Sequence, residues 1–339
     1  MRAAFCALAL LAAACSPSAA QTDTWSPIEV TAVPFEMPDQ VGQLRFVAGF
    51  ELQSPQARFG GFSDLAILYQ GRQRSNPRLL AISDAGEWLL ADIQLDPETG
   101  VPTGVSNARM ALMRDENGDP FPDKESGDAE DMDLLVDGRV AVSFEQTQTI
   151  RIYDVLGAGP MAPAQPGPPL AATDRLGPNR GLEALTAVGN GLVVGAERGR
   201  RAGPLPIWQT SITATQPALP SYEMVAPLGY GLTSLDGSWA VQRFYAPGLG
   251  TRVRVLATQL WPLDAARAPN EPTDVVYTEL AVIAAPLIVD NIEGIAEDHA
   301  VDRRIWLMSD DNFSADQRTL LYVFDVPIQS GEPSQAPID

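Results

Sequence analysis

The chain has 339 residues and a formal net charge of −20, with one histidine and two cysteines. A charge this negative disfavours nucleic acid and anionic membrane surfaces as partners. Both cysteines, Cys6 and Cys15, lie in the N-terminal segment. The folded domain is therefore expected to contain no disulfide, no thiolate nucleophile and no cysteine-bound metal.

Residues 1–20 have the pattern of an export signal. Arg2 gives a positive start, and the apolar run 3–14 is too short to span a membrane. Two cleavage positions are open. The sequence AAAC at 12–15 resembles a lipoprotein box, which would leave Cys15 lipidated, whereas SAA at 18–20 resembles an ordinary cleavage site. Either way we expect an exported, periplasmic protein, and the first alternative adds a lipid anchor in the outer membrane as its one link to a membrane.

Residues 21–27 are polar and predict a tether. From residue 28 onward the chain alternates short apolar runs with turn residues, and no window carries a helical stripe over three turns. The 28 glycines and 29 prolines fall between these runs, as turn residues should. The tail at 329–339 is predicted to be unstructured. A single all-β domain is therefore expected over residues 28–328.

A repeated two-strand phrase organises this domain. Residues 290–313 contain two apolar strands, 292–296 and 305–309, separated by a polar turn, which predicts a β-hairpin. The phrase recurs at 128–145 and 180–197, and in degenerate form at 61–84. Aligning the copies places four residues at one equivalent position: Ser63, Glu130, Glu183 and Glu293.

The spacing of the copies predicts the architecture. Glu183 and Glu293 lie about two repeat lengths apart, so a skipped copy is expected near residue 238, where residues 232–245 have the strand-turn-strand shape without a glutamate. A repeat of this length predicts a β-propeller with four antiparallel strands per blade. Dividing roughly 300 folded residues by about 50 per blade predicts six blades. A sandwich or a solenoid is the alternative.

Several phrases of the chain resemble the phytase-like β-propeller domain, a bacterial family also described as having esterase-like activity of phytase. The resemblance covers about residues 59–326. The family usually has glycine after its motif glutamates, where this chain has Asp131 and Ala184, and often has glutamate where this chain has Gln242. The matching phrases are GGFSDL (60–65), ISDAG (82–86), GDPFPDKESGDAEDM (118–132), NRGLEAL (179–185), AERGR (196–200), NIEGIA (291–296) and SDDNF (309–313).

Glutamates at one repeat position should converge on the propeller axis, where their mutual repulsion favours a hard cation with oxygen ligands, above all calcium. Acids at the ends of the following strands could complete such a site. The alternative is that the acids cap turns or pair with arginines inside the blades. The predicted metal ligands are Glu130, Glu183, Glu293, Asp84, Asp310 and Asp311.

The resemblance implies a calcium-dependent hydrolase acting on a small phosphorylated molecule or ester. The residues then expected to act in catalysis are Glu183, Glu293 and Arg180, and those expected to bind phosphate are Arg180, Arg198 and Arg243. His299 has no motif partner and there is no G-x-S-x-G sequence, which argues against a Ser-His-Asp hydrolase. The alternative function is a non-catalytic envelope propeller that binds a ligand or scaffolds a partner. We expect a monomer.

Overall fold

The computed structural model describes residues 25–70, 75–176, 180–198, 204–259 and 272–327. The predicted signal segment, with Cys15, and the predicted tail lie outside these residues. The segment predicted as a tether is described from Trp25 onward, and there Ser26–Pro27 pairs with Met110 and Arg109.

The described chain is almost entirely β-structure, with strands numbered in chain order. The first eight are β1 (Ser26–Pro27), β2 (Thr31–Pro34), β3 (Gln40–Val41), β4 (Leu44–Gln53), β5 (Phe62–Gln70), β6 (Ser75–Ser83), β7 (Glu87–Leu95) and β8 (Pro102–Leu112). The next eight are β9 (Ala129–Leu134), β10 (Val140–Phe144), β11 (Thr149–Tyr153), β12 (Gln165–Pro166), β13 (Leu182–Val188), β14 (Gly191–Ala196), β15 (Leu205–Ser211) and β16 (Pro220–Met224). The last eight are β17 (Tyr230–Asp236), β18 (Trp239–Ala246), β19 (Gly250–Thr258), β20 (Thr273–Asp274), β21 (Tyr277–Ala284), β22 (Asn291–Glu297), β23 (Arg304–Asp310) and β24 (Leu320–Asp325).

Helix is confined, in the part of the chain that is described, to α1 (Lys124–Gly127) and a single 3-10 turn at Thr173–Arg175. Neither is long or apolar enough to cross a membrane.

The strands form five sheets, which are the blades of a β-propeller. In chain order, the innermost strands of blades 1 to 5 are β5, β9, β13, β17 and β22. Each inner strand contacts the inner strands on either side, and β22 contacts β5, so the ring is closed. The predicted all-β propeller is therefore confirmed, and each blade is built on four antiparallel strands.

Blade 5 closes the ring by combining strands from both parts of the chain. Its order is β2-β4-β24-β23-β22, so β4 supplies the strand next to β24, with Glu51 opposite Leu320. The prediction of six blades was wrong because it assumed about 50 residues per blade. Several blades are longer: the starts of β5 and β9 lie 129 − 62 = 67 residues apart, and those of β17 and β22 lie 291 − 230 = 61 apart.

The hydrophobic core is divided into five clusters, each between two neighbouring blades in the described residues. Blades 1 and 2, for example, bury Leu80, Trp88 and Phe144 in one cluster, and blades 4 and 5 bury Val241 and Tyr322 in another. Alternate side chains of a strand point to opposite faces, so a blade packed on both sides needs apolar residues at nearly every position. The buried runs of β10 and β14 follow that pattern.

Candidate functional site: an acidic channel mouth

All five inner strands carry a β-bulge at the same height in the ring. The register of each strand shifts by one residue against its neighbour, and the extra residue is the one aligned by the sequence repeat. The predicted equivalence of the four copies is confirmed, and the copy predicted near residue 238 is centred on Thr233. The five residues, called the inner ring below, are Ser63, Glu130, Glu183, Thr233 and Glu293.

A second set of charged residues surrounds the first, because the strand that follows each inner strand reaches the same height. In each blade, the residue just before the bulge pairs with a residue of the second strand, and the charged residue comes directly after that partner. In blade 2, for example, Ala129 pairs with Phe144, and Glu145 follows Phe144. The five residues, called the outer ring, are Asp84, Glu145, Glu197, Arg243 and Asp310. The two rings together form one end of the central channel, called the mouth.

Local backbone structure explains how an outer-ring acid is held against the next blade. The Gly181 N–H donates to Glu145 Oε1 at 3.0 Å. A Cβ atom on Gly181 would lie 2.6 Å from Glu145 Cγ, and one on Gly231 would lie 2.7 Å from Glu197 Cγ. Only glycine permits this approach, which accounts for the glycine that precedes the inner-ring motif in blades 3 and 4.

The mouth is strongly negative. Three cations of the described residues lie within ion-pair distance of the two rings or of the adjacent Asp128: Lys124, Arg198 and Arg243. Burial raises the pKa of Glu130 well above its usual value, and the negative charges of Asp128 and Glu293 raise it further. Burial also raises the pKa of Glu183 well above its usual value, with Glu197 and Glu130 adding to the shift. These acids cannot all be ionised unless a cation joins them.

The strongest candidate for such a cation lies on the side of blades 1 and 2. Asp128, Glu130 and Glu145 each place one carboxylate oxygen within 4.8 Å of the others. Next to them, Asp84 is 7% exposed. Its Oδ2 pairs with Lys124, while its Oδ1 is buried with no hydrogen-bond partner among the described residues. Hard oxygen donors and an orphaned carboxylate oxygen fit calcium, which takes about six to eight oxygen ligands.

The opposite side of the mouth carries an arginine. Arg243 Nη2 lies 3.1 Å from Glu293 Oε1 and 3.9 Å from Glu197 Oε1, and Nη1 donates to Asn291 Oδ1. Its Nε is buried without a partner among the described residues. Burial opposes the charge, yet the neighbouring carboxylates raise the pKa of Arg243 above its ordinary value. The guanidinium is therefore charged, and these contacts do not use all five of its N–H donors.

The other predicted residues are placed less centrally. Arg198 pairs with Glu197 at 3.3 Å and its side chain is 43% exposed. Arg180 is exposed at the start of blade 3, and its charge lowers the pKa of Glu197, which burial raises. Asp310 Oδ1 accepts the Asn312 N–H at 2.7 Å. Gln242 faces away from the mouth and accepts from Arg254.

Asp311 bridges two blades rather than offering free oxygens. Its Oδ1 accepts from the Gly61 and Phe313 N–H groups, at 2.9 and 3.0 Å, and its Oδ2 accepts from Thr319 Oγ1 at 3.0 Å. These bonds hold blade 5 to the entry of blade 1, so both oxygens already have protein donors.

A third level of acids, called the axial acids, lies below the mouth: Asp64, Asp131 and Asp133. Asp131 Oδ2 accepts the N–H groups of Leu185 and Leu235, at 2.8 and 3.1 Å, which lie on two different inner strands. Asp64 Oδ2 accepts the Met132 N–H at 3.0 Å. Because inner strands of neighbouring blades do not pair as a sheet, these carboxylates supply the hydrogen bonds that join them.

The carboxyls of Asp64 and Asp131 also share a hydrogen bond, so one proton serves both. Burial raises the pKa of Asp64 to about 7, although the Asp131 hydrogen bond opposes the shift. Burial raises the pKa of Asp131 well above its usual value, and the charge of Asp64 adds to it. Both side chains are fully buried.

Two participants were missed by the sequence interpretation. Asp128 lies two residues before Glu130, on the same face of the strand, where blades 1, 3 and 4 have glycine. An aspartate in place of glycine, two residues before a motif glutamate, was the feature of the sequence that could have identified Asp128. Lys124 enters from α1 by a contact that no local pattern indicates. His299 is exposed and follows β22 at the end opposite the mouth.

Three solved structures illustrate distant likenesses to this chain. Polycomb repressive complex 2 of Chaetomium thermophilum matches at 10% identity and a TM-score of 0.42, over 79% of this chain and 69% of that one. Aldose sugar dehydrogenase of Streptomyces coelicolor matches at 13% identity and 0.39, over 88% and 99%. The β-propeller domain of Cps50 (Swd1) from Myceliophteria thermophila matches at 12% and 0.36, over 80% and 98%. Identities and TM-scores this low support no transfer of function.

No curated protein matches the chain. The family model described as phytase-like, esterase-like activity of phytase, matches residues 57–313. That span begins before β5 and ends after β23, so it includes both rings of the mouth and the inner strand of every blade. This chain belongs to the phytase-like family.

Proposed function

We propose that the chain is a calcium-dependent phosphoester hydrolase whose active site is the mouth. The observation that supports this most is the division of the mouth into two sides. A group of convergent carboxylates on blades 1 and 2 faces a charged guanidinium with a free donor on blade 4. A phosphate ester needs both a cation and an oriented donor for its oxygens.

Calcium would be held by Asp128, Glu130 and Glu145, with the orphaned Oδ1 of Asp84 as a further ligand atom. When bound there, calcium supplies positive charge for phosphate oxygens and lowers the pKa of a coordinated water. The ion also removes the electrostatic conflict among the buried carboxylates, so binding it stabilises the folded chain.

The chain's own residues supply orientation and a proton. Arg243 donates to a phosphate oxygen, while Glu293 and Asn291 fix the direction of its guanidinium. Glu183 shares a hydrogen bond with Glu145. Burial raises the pKa of Glu183 well above its usual value and so favours the protonated carboxyl, which can protonate the leaving oxygen. Arg180 and Arg198, at the edge of the mouth, attract the anionic substrate.

The experiment combines calcium-dependent melting with a panel of phosphate and carboxylate esters. Metal-free protein should gain thermal stability on addition of calcium and then release phosphate. Glu130→Gln should weaken calcium binding about tenfold or more and remove turnover. Glu98→Gln is the matched control, because it deletes the same charge from the exposed β7–β8 turn at the end opposite the mouth.

Calcium-loaded protein that turns over no phosphate ester would overturn the proposal, as would a Glu130→Gln variant as active as the native chain. Calcium binding without turnover would favour the ligand-binding propeller. Hydrolysis of carboxylate esters alone would move the substrate class to the esterase side of the family description.

A further inference from the structure

A second cavity lies away from the mouth, between blades 1 and 2. It has a volume of about 340 Å³, and its walls are Trp25, Arg78, Leu90, Arg109 and the turn at 155–161 that follows β11. Arg78 lies near the start of β6 and the turn follows β11, so the cavity opens toward the end of the ring opposite the mouth. It shares no residue with the two rings.

Two arginines of this cavity have no acidic partner. The Nε atoms of Arg78 and Arg109 are both buried, and neither makes a hydrogen bond with a described residue. Neither guanidinium lies within ion-pair distance of a carboxylate of the described residues. Asp92, the residue opposite Arg78 in the sheet, accepts from Asn107 Nδ2 at 2.7 Å instead.

Arg58, Arg198 and Arg243 also have a buried Nε without a hydrogen bond, but each of them pairs with a carboxylate. Arg78 and Arg109 do not do so among the described residues. With a net charge of −20 the chain has an excess of acids available to neutralise buried arginines. Desolvated donors without partners are costly, and native proteins rarely keep them unless another group fills the need. Arg78 and Arg109 both line one cavity, so an external oxyanion bound there can pair with their guanidinium groups.

The remaining walls define the body of that ligand. Leu90 and Val155 are buried and apolar, and the Arg109 guanidinium carbon lies 5.6 Å from the centroid of the Trp25 ring. An aromatic wall beside a guanidinium accepts a flat apolar group whose head carries negative charge. The volume suits a ligand of this size.

We infer that this cavity is a binding site for a small organic oxyanion, a carboxylate or phosphate head on an aromatic body. Arg78 and Arg109 bind the head, and Trp25 and Leu90 contact the body. The site is separate from the mouth in position and in charge, so it does not depend on the hydrolase proposal.

The test is calorimetric titration of the full chain with benzoate and with phenyl phosphate, in chelator so that the mouth holds no calcium. Benzyl alcohol serves as the neutral probe. Saturable binding of at least one anion is expected, with no detectable binding of the alcohol. Glu130→Gln should bind the anion as the native chain does, which separates this site from the mouth.

Arg78→Gln and Arg109→Gln should each weaken anion binding by about tenfold or more, because each removes a charge-assisted donor. Arg252→Gln is the matched control: Arg252 is exposed on blade 4, and its loss should change affinity by less than about twofold. Ala158→Trp is a second variant, which fills the cavity from an exposed turn position, keeps both arginines and should also abolish binding.

Melting curves of each variant identify any loss of folding. The inference is overturned if neither anion binds saturably to the native chain. It is also overturned if Arg252→Gln weakens binding as much as the cavity variants, or if folded Ala158→Trp binds with native affinity.

Discussion

The mouth and the axis below it hold the same kind of side chain in opposite ways. The carboxylate of Glu130 converges with those of Asp128 and Glu145, and Asp84 keeps one buried oxygen without a partner among the described residues. A few ångströms along the same strand, Asp131 accepts two N–H groups from neighbouring inner strands. The axial acid joins the backbones of neighbouring inner strands, whereas Asp84 and Glu130 at the mouth converge on a candidate ligand site. Adjacent residues of one motif therefore serve architecture and chemistry separately.

The largest effect should come from removing an axial acid. Asp131→Ala leaves the Leu185 and Leu235 N–H groups buried without an acceptor, at about 1–3 kcal/mol each. The free energy of unfolding, measured by urea denaturation, should fall by about 2–6 kcal/mol. Asp131→Asn is the control, because its carbonyl still accepts and its amide donates to Asp64. If the two variants are equally destabilised, the axial acids do not join the blades as described.

Arg243→Gln tests the role of the mouth in turnover. Loss of the guanidinium removes a donor for the substrate and the cation that faces Glu293 and Glu197, so turnover should fall about 100-fold. Arg198→Gln, with a more exposed side chain, should lower turnover by less than about threefold. Steady-state kinetics on the best phosphate ester provide the measurement. Equal losses of turnover in the two variants would show that these arginines act only through long-range electrostatic attraction of the anion.

The pH dependence of stability sharpens the comparison further. Carboxyls with raised pKa values stabilise the fold when protonated, so this contribution is present near pH 4 and is lost as pH rises through the folded pKa. For Asp64 that window runs from about 4 to about 7. Metal-free protein should therefore melt at lower temperature at pH 7 than at pH 5. Calcium should reduce the difference, because it replaces protons at the mouth. A calcium-independent slope would assign the effect to the axial acids alone.

The smallest effect is expected from the single histidine. His299→Gln changes an exposed turn residue at the end of the ring opposite the mouth, so turnover and calcium response should stay within about twofold of native values. A loss of activity with an unchanged melting temperature would show that chemistry reaches that end of the channel.

The sequence was sufficient for the features that repeat. The hairpin phrase and its spacing predicted a propeller and aligned Glu130 with Glu183 and Glu293, because each copy meets the same steric requirement at the bulge. The blade number could not be obtained by dividing length by an assumed repeat, since the blades differ in length and several exceed the assumed value. The hairpin phrase occurs five times in the sequence, once for each of the five blades.

The charge distribution of the site was less predictable, because it depends on which blades lie next to each other. Glu145 and Arg243 occupy equivalent outer-ring positions, yet one lies beside two other acids and the other between acids that it neutralises. The roles of Asp131 and Asp133 were also hidden, since their partners are backbone N–H groups of another blade. Sequence indicates which acids face the axis, and only the fold shows which have donors.

The joining of β4 to β24 has a consequence for how the chain reaches its native state. Glu51 finds its partner at Leu320 only after every intervening blade exists, and such distant pairing is slow to form. Until then, the apolar faces of blades 1 and 4 that blade 5 covers stay exposed to solvent and to other chains. We expect the ring to close in a late, rate-limiting step, during which the nascent protein is most susceptible to aggregation.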